Sequence, residues 1–186
     1  CLLSRGLGDV YKRQVEQQEN VFYYITLLNE NYPMPGLVEG TEEQVIKGMY
    51  LCKPGAEGDK RVQLLGSGTI LRESLAAQTL LAADWGVQAD VWSCPSFNEL
   101  TREGQDVDRW NLLHPLETPR VPFVAQQLGS STGPVVASTD YMKAYAEQIR
   151  PFVPKGRNYK VLGTDGFGRS DFRSKLREHF EVNRHY

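Results

Sequence analysis

At 186 residues with 40% hydrophobic content, the chain is long enough to bury the core of about one domain and too apolar to be disordered. A formal net charge of -2 with both signs interspersed leaves no basic footprint for nucleic acid, and no apolar stretch reaches the length of a membrane span. Cys1, Cys52 and Cys94 are widely spaced and form no Cys-x-x-Cys or Cys/His cluster, which argues against zinc and for a reducing compartment, with the cytoplasm as the default.

Taken in order, Cys1 to Gln14 lacks periodicity and fits neither a signal nor a transit peptide. It reads as foreign sequence, such as a translated adapter, with a flexible native tail as the alternative. Val21 to Leu28 is a dense apolar and aromatic run of strand type. Pro33, Pro35 and Gly36 then favour an extended connection, so a domain boundary is expected between Tyr32 and Gly40. Val45 to Cys52 is a second strand candidate, closed by turn signals at Pro54-Gly55 and Glu57-Gly58-Asp59.

The apolar run Arg61 to Gly66 ends in Gly66-Ser67-Gly68, and helical spacing follows, as in the opening half of a βαβ unit. The expected helix has Leu71, Leu75 and Ala82 on its inner stripe, Leu81 and Trp85 at the border and Gly86 as a left-handed cap. Asp90 to Cys94 is a short strand. Ser96 and Glu99 form a capping box for a short helix that Gly104 stops. Arg109 to Arg120 is too proline-rich for a helix and should pack across the surface. Pro122 opens a short helix to Leu128, and Pro134 to Ala137 is a strand. Ser138 or Asp140 caps a helix to Ile149, ended by Pro151. The last unit is strand Tyr159 to Leu162, a loop Gly163 to Arg169, N-cap Ser170, and a helix carrying Phe172, Leu176 and Phe180. Alternating strands and helices predict an α/β fold.

Three places invite chemistry. Gly66-Ser67-Gly68 could hold an anion at a helix N-terminus, but Leu71 stands where a dinucleotide fingerprint needs its third glycine and no Walker lysine follows, so a plain turn is preferred. Gly163 to Ser170 gathers three glycines, Arg169 and a helix start; positive φ and turn bonds from Asp165 and Ser170 explain it equally, and that reading is favoured. His114 beside Glu117 could be a general base, yet no nucleophile accompanies the pair and a local brace is the simpler reading. Cys52 and Cys94 have no basic setting that would make a reactive thiolate, and His179 and His185 sit among solvated charges.

As whole strings, Asn20 to Tyr32, Arg109 to Pro122, Ala137 to Lys143 and Val161 to Asp171 closely resemble the homodimeric pyruvate dehydrogenase decarboxylating components, members of the transketolase-like group. The resemblance covers about Val15 to Val182 and not Cys1 to Gln14. It implies a parent enzyme that uses thiamine diphosphate and magnesium to decarboxylate pyruvate and reductively acetylate lipoyl groups, with a second subunit and dihydrolipoyl acetyltransferase as partners. It implies a fold like the transketolase C-terminal domain, a three-layer α/β/α sandwich with a mostly parallel mixed sheet. It divides the chain into a foreign or disordered tail (1–14), the end of a pyrimidine-binding domain plus linker (15–40), and a C-terminal α/β domain truncated at its end (41–186). No residue here is expected to be catalytic, cofactor-binding or metal-binding, and the chain alone is expected to be inactive and to bind neither cofactor nor metal. A stand-alone small-molecule or nucleotide-binding module, based on the two glycine loops, is the alternative.

Overall fold

The computed structural model describes residues 10–24, 30–33 and 35–186, and the chain divides into two compact units, Cys1–Pro35 and Gly36–Tyr186. In the first unit a short helical segment spans Lys12–Glu16. Arg13 there pairs with Glu19 at 2.6 Å and donates to the Tyr23 hydroxyl at 2.6 Å. Val21 to Tyr24 carries no regular structure, so the expected strand is not formed over that half; its remainder, from Ile25 on, lies outside the described residues.

The second unit is organised on β2 (Arg61–Gly66), whose Val62, Leu64 and Leu65 are all buried. An apolar run exposed to neither face suits a central parallel strand. The other strands are β1 (Tyr50–Lys53), β3 (Gln88–Ser93), β4 (Val135–Ser138) and β5 (Tyr159–Leu162), in the order β1-β3-β2-β4-β5. β3, β2, β4 and β5 run parallel, and β1 closes one edge antiparallel to β3.

Alternate β2 residues feed two cores. Val62 and Leu64 meet Leu71 of α2 (Leu71–Trp85) together with Ala89 and Val91 of β3. Leu65 faces the other way, into a core shared by α3 (Phe97–Leu113), α4 (Phe123–Leu128) and α5 (Lys143–Glu147). Helices therefore cover both faces, which is the three-layer α/β/α arrangement expected. Each fully buried Leu or Val, such as Leu65, Val91 and Val135, is worth roughly 1.5–3 kcal/mol, so a few of them match the net stability of a typical domain.

Several elements differ from expectation. Val45 to Lys47 belong to a helix, α1 (Glu42–Lys47), because Gly48 closes it in a left-handed cap; the strand begins only at Tyr50. On α2 the inner stripe is Leu71, Ser74 and Gln78, with Leu75 and Leu81 half-buried, while Ala82 and Trp85 face solvent. Gln78 is drawn inward by its bond to the Ala89 carbonyl at 2.7 Å, a polar anchor that an apolar pattern does not reveal. Ser96 does cap α3, accepting from the Glu99 N–H at 3.1 Å, but the helix runs through Gly104 and on over Arg109 to Leu113. Neither Ser138 nor Asp140 caps α5. Its first N–H, that of Lys143, is taken by Asp165 from the distant loop at 2.8 Å. Ser170 likewise lies outside the last helix, α6 (Arg173–His179), whose N-cap position is Phe172, 82% exposed rather than packed.

Gly104 persists inside α3 for a reason of space. A Cβ built there would lie 2.5 Å from the ring of Phe152, a buried residue of the α3-side core. Glycine in a helix costs about 1 kcal/mol against alanine, and ring-to-backbone packing offsets that. Gly104→Ala, which ordinarily stabilises an exposed helix, is therefore expected to lower stability by about 1–3 kcal/mol, read as an earlier urea midpoint by circular dichroism. A midpoint shifted upward would mean that Phe152 moves freely.

Candidate functional site

The connections after β2 and β4 leave toward opposite faces, into α2 and α5 respectively, and such a divergence opens a crevice at the carboxyl ends of the strands. Gly66, Ser93 and Ser138 stand level there by register. Gly66 is held close under α2: a Cβ would lie 2.7 Å from the Leu71 Cα and 2.9 Å from the Ser74 Oγ. Gly68 takes φ +53°, a left-handed conformation that side chains rarely adopt.

Around this opening the hydroxyls form a linked set. Ser67 Oγ donates to Thr139 Oγ1 at 2.9 Å, and Thr139 Oγ1 also accepts from the Tyr141 N–H at 3.1 Å. Thr69 Oγ1 donates to Asp140 Oδ2 at 3.3 Å and receives Arg177 Nη2 at 3.3 Å. Thr164 Oγ1 donates to the Asp140 carbonyl at 2.6 Å. The resulting cavity, about 350 Å³, is bounded by Ser67, Gly68, Asn98, Asp140, Tyr141 and Tyr145, with Cys94 at its wall. A second cavity, about 500 Å³, lies on the α2 face between Val62, Leu64, Leu81, Val136, Leu162 and Val182.

Beside that second cavity Glu73 of α2 receives Arg184 at 2.8 and 3.1 Å, with Arg177 at 3.7 Å. Burial alone would raise the Glu73 carboxyl; the bonds and charge of Arg184, with Arg177 adding, outweigh it and hold the group below the usual carboxylate range. Asp90 behaves likewise. Burial opposes its charge, and bonds from Arg61, the Gly55 N–H and Gln63 more than compensate.

The sequence candidates fall as follows. At Gly66-Ser67-Gly68 the Ser67 N–H goes to the Ser138 carbonyl of β4 and the Ile70 N–H to the Ser67 carbonyl, so both donors are used within the fold. The Gly163 to Ser170 loop turns Thr164 and Asp165 inward to brace Asp140 and Lys143, and leaves Phe167 91% exposed. His114 stacks on Trp110 at 4.4 Å with Nδ1 2.8 Å from the Trp110 carbonyl, and meets Glu117 through a backbone bond at 3.1 Å. Arg120 lies 3.8 Å from the Trp110 ring centre, which pins the proline-rich segment to the end of α3. Burial raises both thiols; Lys53 opposes this at Cys52, and Cys94 is fully buried. His179 contacts Phe180 edge-on, and His185 is exposed. Among the described residues no group of three or more His, Cys, Asp or Glu is placed to hold a metal.

Sequence reasoning missed Glu73 with Arg177 and Arg184, and it saw Asp140 only as a helix cap. Glu73 and Arg184 are separated by 111 positions, so no local spacing signals their meeting.

A mixed sheet between two helical layers, with four parallel strands ending at one crevice, defines the class, and residues 48–183 match the family described as the transketolase-like TK C-terminal domain. The chain belongs to that family. It is 59% identical to the pyruvate dehydrogenase E1 component of Cupriavidus necator over 99% of its own length and 60% identical to that of Escherichia coli K12 over 100%, covering 21% and 20% of those proteins. The chain thus spans about a fifth of the length of these relatives. Among solved structures, transketolase from Campylobacter jejuni aligns at TM-score 0.49 and 21% identity over 83% of this chain and 19% of that one.

The two lowered carboxyls set an acid limit. A carboxyl whose folded pKa is depressed contributes stability above its unfolded value, near 4, and loses it as pH falls through the folded value. The urea midpoint is expected to hold from neutral pH down to about 5 and to fall steeply below about 4. Glu73→Gln should begin lower at neutral pH and fall less over that window. Identical acid slopes in both proteins would show that Glu73 contributes nothing there.

Proposed function

We propose that the chain is the C-terminal region of a pyruvate dehydrogenase decarboxylating component, a thiamine diphosphate and magnesium enzyme that decarboxylates pyruvate and acetylates lipoyl groups. The carrying observation is identity near 60% sustained along the whole chain. On this reading 15–40 ends the pyrimidine-binding domain and forms the linker, 41–186 is the C-terminal α/β domain, and the parent is a cytoplasmic homodimer serving dihydrolipoyl acetyltransferase. Membership of the transketolase-like family and the lack of a helix long and apolar enough to cross a membrane among the described residues both accord with it.

The domain's part is structural. No catalytic, cofactor or metal role is assigned to its residues. Bound in the parent, the cofactor supplies the carbanion chemistry, and none of it is routed through this domain. Support for a role in assembly comes from the end of α3 and the segment beyond it, where Leu112, Leu113, Leu116 and Val121 are 79%, 59%, 99% and 51% exposed. Four large apolar side chains left in water on so short a stretch suit burial against another protein chain.

The test is replacement of the matching C-terminal region in the Escherichia coli relative by residues 48–183 of this chain. A dimer with pyruvate-dependent lipoyl acetylation is expected; a folded chimera that is monomeric or inactive would overturn the proposal. Leu113→Glu with Leu116→Glu should shift that chimera toward monomer in sedimentation without lowering its melting temperature. The 186-residue chain alone should give no saturable heat with thiamine diphosphate and magnesium in the micromolar range.

A further inference from the structure

The cavity at the carboxyl ends of β2 and β4 is not accounted for by an assembly role, and its walls define what it can hold. Its volume, about 350 Å³, falls within the span of small-ligand sites, and its position at the divergence of two crossovers is where open α/β sheets bind them. The polar groups at its edge are Ser67, Ser96, Asn98, Thr139 and the carboxylate of Asp140. Tyr141 and Tyr145, in edge contact at 5.6 Å and 58% and 40% exposed, supply aromatic surface on the same side.

Charge narrows the choice from both directions. Among the described residues no Lys or Arg lines the cavity, and an anion would meet the Asp140 carboxylate. A cation would be attracted to Asp140 but would also meet the positive end of α3, whose N-cap Ser96 and first-turn Asn98 line the same cavity. An ammonium also offers donors only, and could accept nothing from the exposed Asn98 amide. A neutral group that both donates and accepts satisfies each wall. Two adjacent hydroxyls can donate to one carboxylate while accepting from an amide and from hydroxyls, and the ring that carries them can lie against a tyrosine.

The geometry points to a binding site for a neutral ring bearing a vicinal diol, either a free sugar or the ribose of a nucleoside, gripped by Asp140 and Asn98 against Tyr141. Gly68, with φ +53° and only the Asp140 carboxylate within 4 Å of its missing side chain, leaves the approach to that carboxylate open.

The probe is the amide spectrum of the 186-residue chain, titrated separately with D-ribose, adenosine, 2′-deoxyadenosine, inorganic phosphate and tetramethylammonium. Saturable shifts centred on Ser67, Gly68, Asn98 and Tyr141 are expected with a diol. A response to ribose and adenosine alike identifies the sugar as the ligand, and a response to adenosine alone identifies the nucleoside. Loss of the 2′-hydroxyl should weaken binding at least about tenfold, as should Asp140→Ala, the factor for one charged hydrogen-bond partner. Tyr141→Ala, at a side chain already half in solvent, should weaken it too and serves if Asp140→Ala lowers the melting temperature. No saturable shift with either diol, an equal response to the 2′-deoxy compound, or a stronger response to phosphate or tetramethylammonium would overturn the inference.

Discussion

A fully buried amide, Gln63, sits in the middle of the central strand, and the geometry of the sheet depends on how it is satisfied. Its Nε2 donates to Asp90 Oδ2 at 2.7 Å and to the Thr132 carbonyl at 3.2 Å, and its Oε1 accepts the Trp92 Nε1 at 2.8 Å. Asp90 in turn takes Arg61 at 2.6 Å and the Gly55 N–H at 2.8 Å. One cluster thus joins β2, β3, the β1–β2 loop and the entry to β4. Each buried polar group left without its partner would cost about 1–3 kcal/mol, and a one-residue slip of β2 would turn Val62 or Leu64 toward the Asp90 carboxylate. Apolar residues alone would tolerate several registers. The amide and carboxylate select one, and that register brings Gly66, Ser93 and Ser138 level at the crevice.

The two faces of the sheet are held by different physics. On the α3 side a long apolar list from Met49 to Val161 packs without a break, including Phe97, Phe123 and Phe152. On the α2 side the cluster is smaller, and beyond it the chain end from Val182 to Tyr186 borders a cavity of about 500 Å³. Val182, 2% exposed, is the single buried residue of that end, so the Glu73 clamp on Arg184 has to do by charge what packing does on the other face. Removing one partner of such a pair leaves a largely buried charge, which costs more than the pair itself contributes.

What could be read from the sequence was what neighbouring residues settle among themselves. The β2 run with its glycine turn, the Ser96 cap of α3, the Gly86 cap of α2 and the strands around Val135 and Val161 all rest on local chemistry, and all are present. The failures share a cause. Gly104 looked like a stop because nothing nearby shows that Phe152, from beyond β4, needs the space its missing side chain leaves. Asp165 caps α5 from 22 residues away, so the local candidates Ser138 and Asp140 were free for other partners. At the crevice the glycines were legible and the linked Ser67, Thr139, Thr69 and Asp140 side chains were not, since they meet only once β2 and β4 are paired.

The same long-range pairing bears on what the domain can do. Interior polar groups are tied up within the fold: Gln63 and Asp90 fix register, and Glu73 holds the chain end. Among the described residues, Nη2 of Arg157 is the one buried side-chain nitrogen or oxygen left without a partner. Groups with bonding capacity to spare therefore lie at the surface and at the crevice. The exposed apolar side chains at the end of α3 and just beyond it suit another protein chain, which fits a domain whose proposed part in a larger enzyme is assembly. The crevice is polar but balanced between a carboxylate and a helix N-terminus, a setting that disfavours ions of either sign and rewards a ligand able to give and accept hydrogen bonds at once. Assembly and ligand binding would thus use opposite ends of α3, whose N-terminus lines the crevice and whose C-terminus carries the exposed leucines.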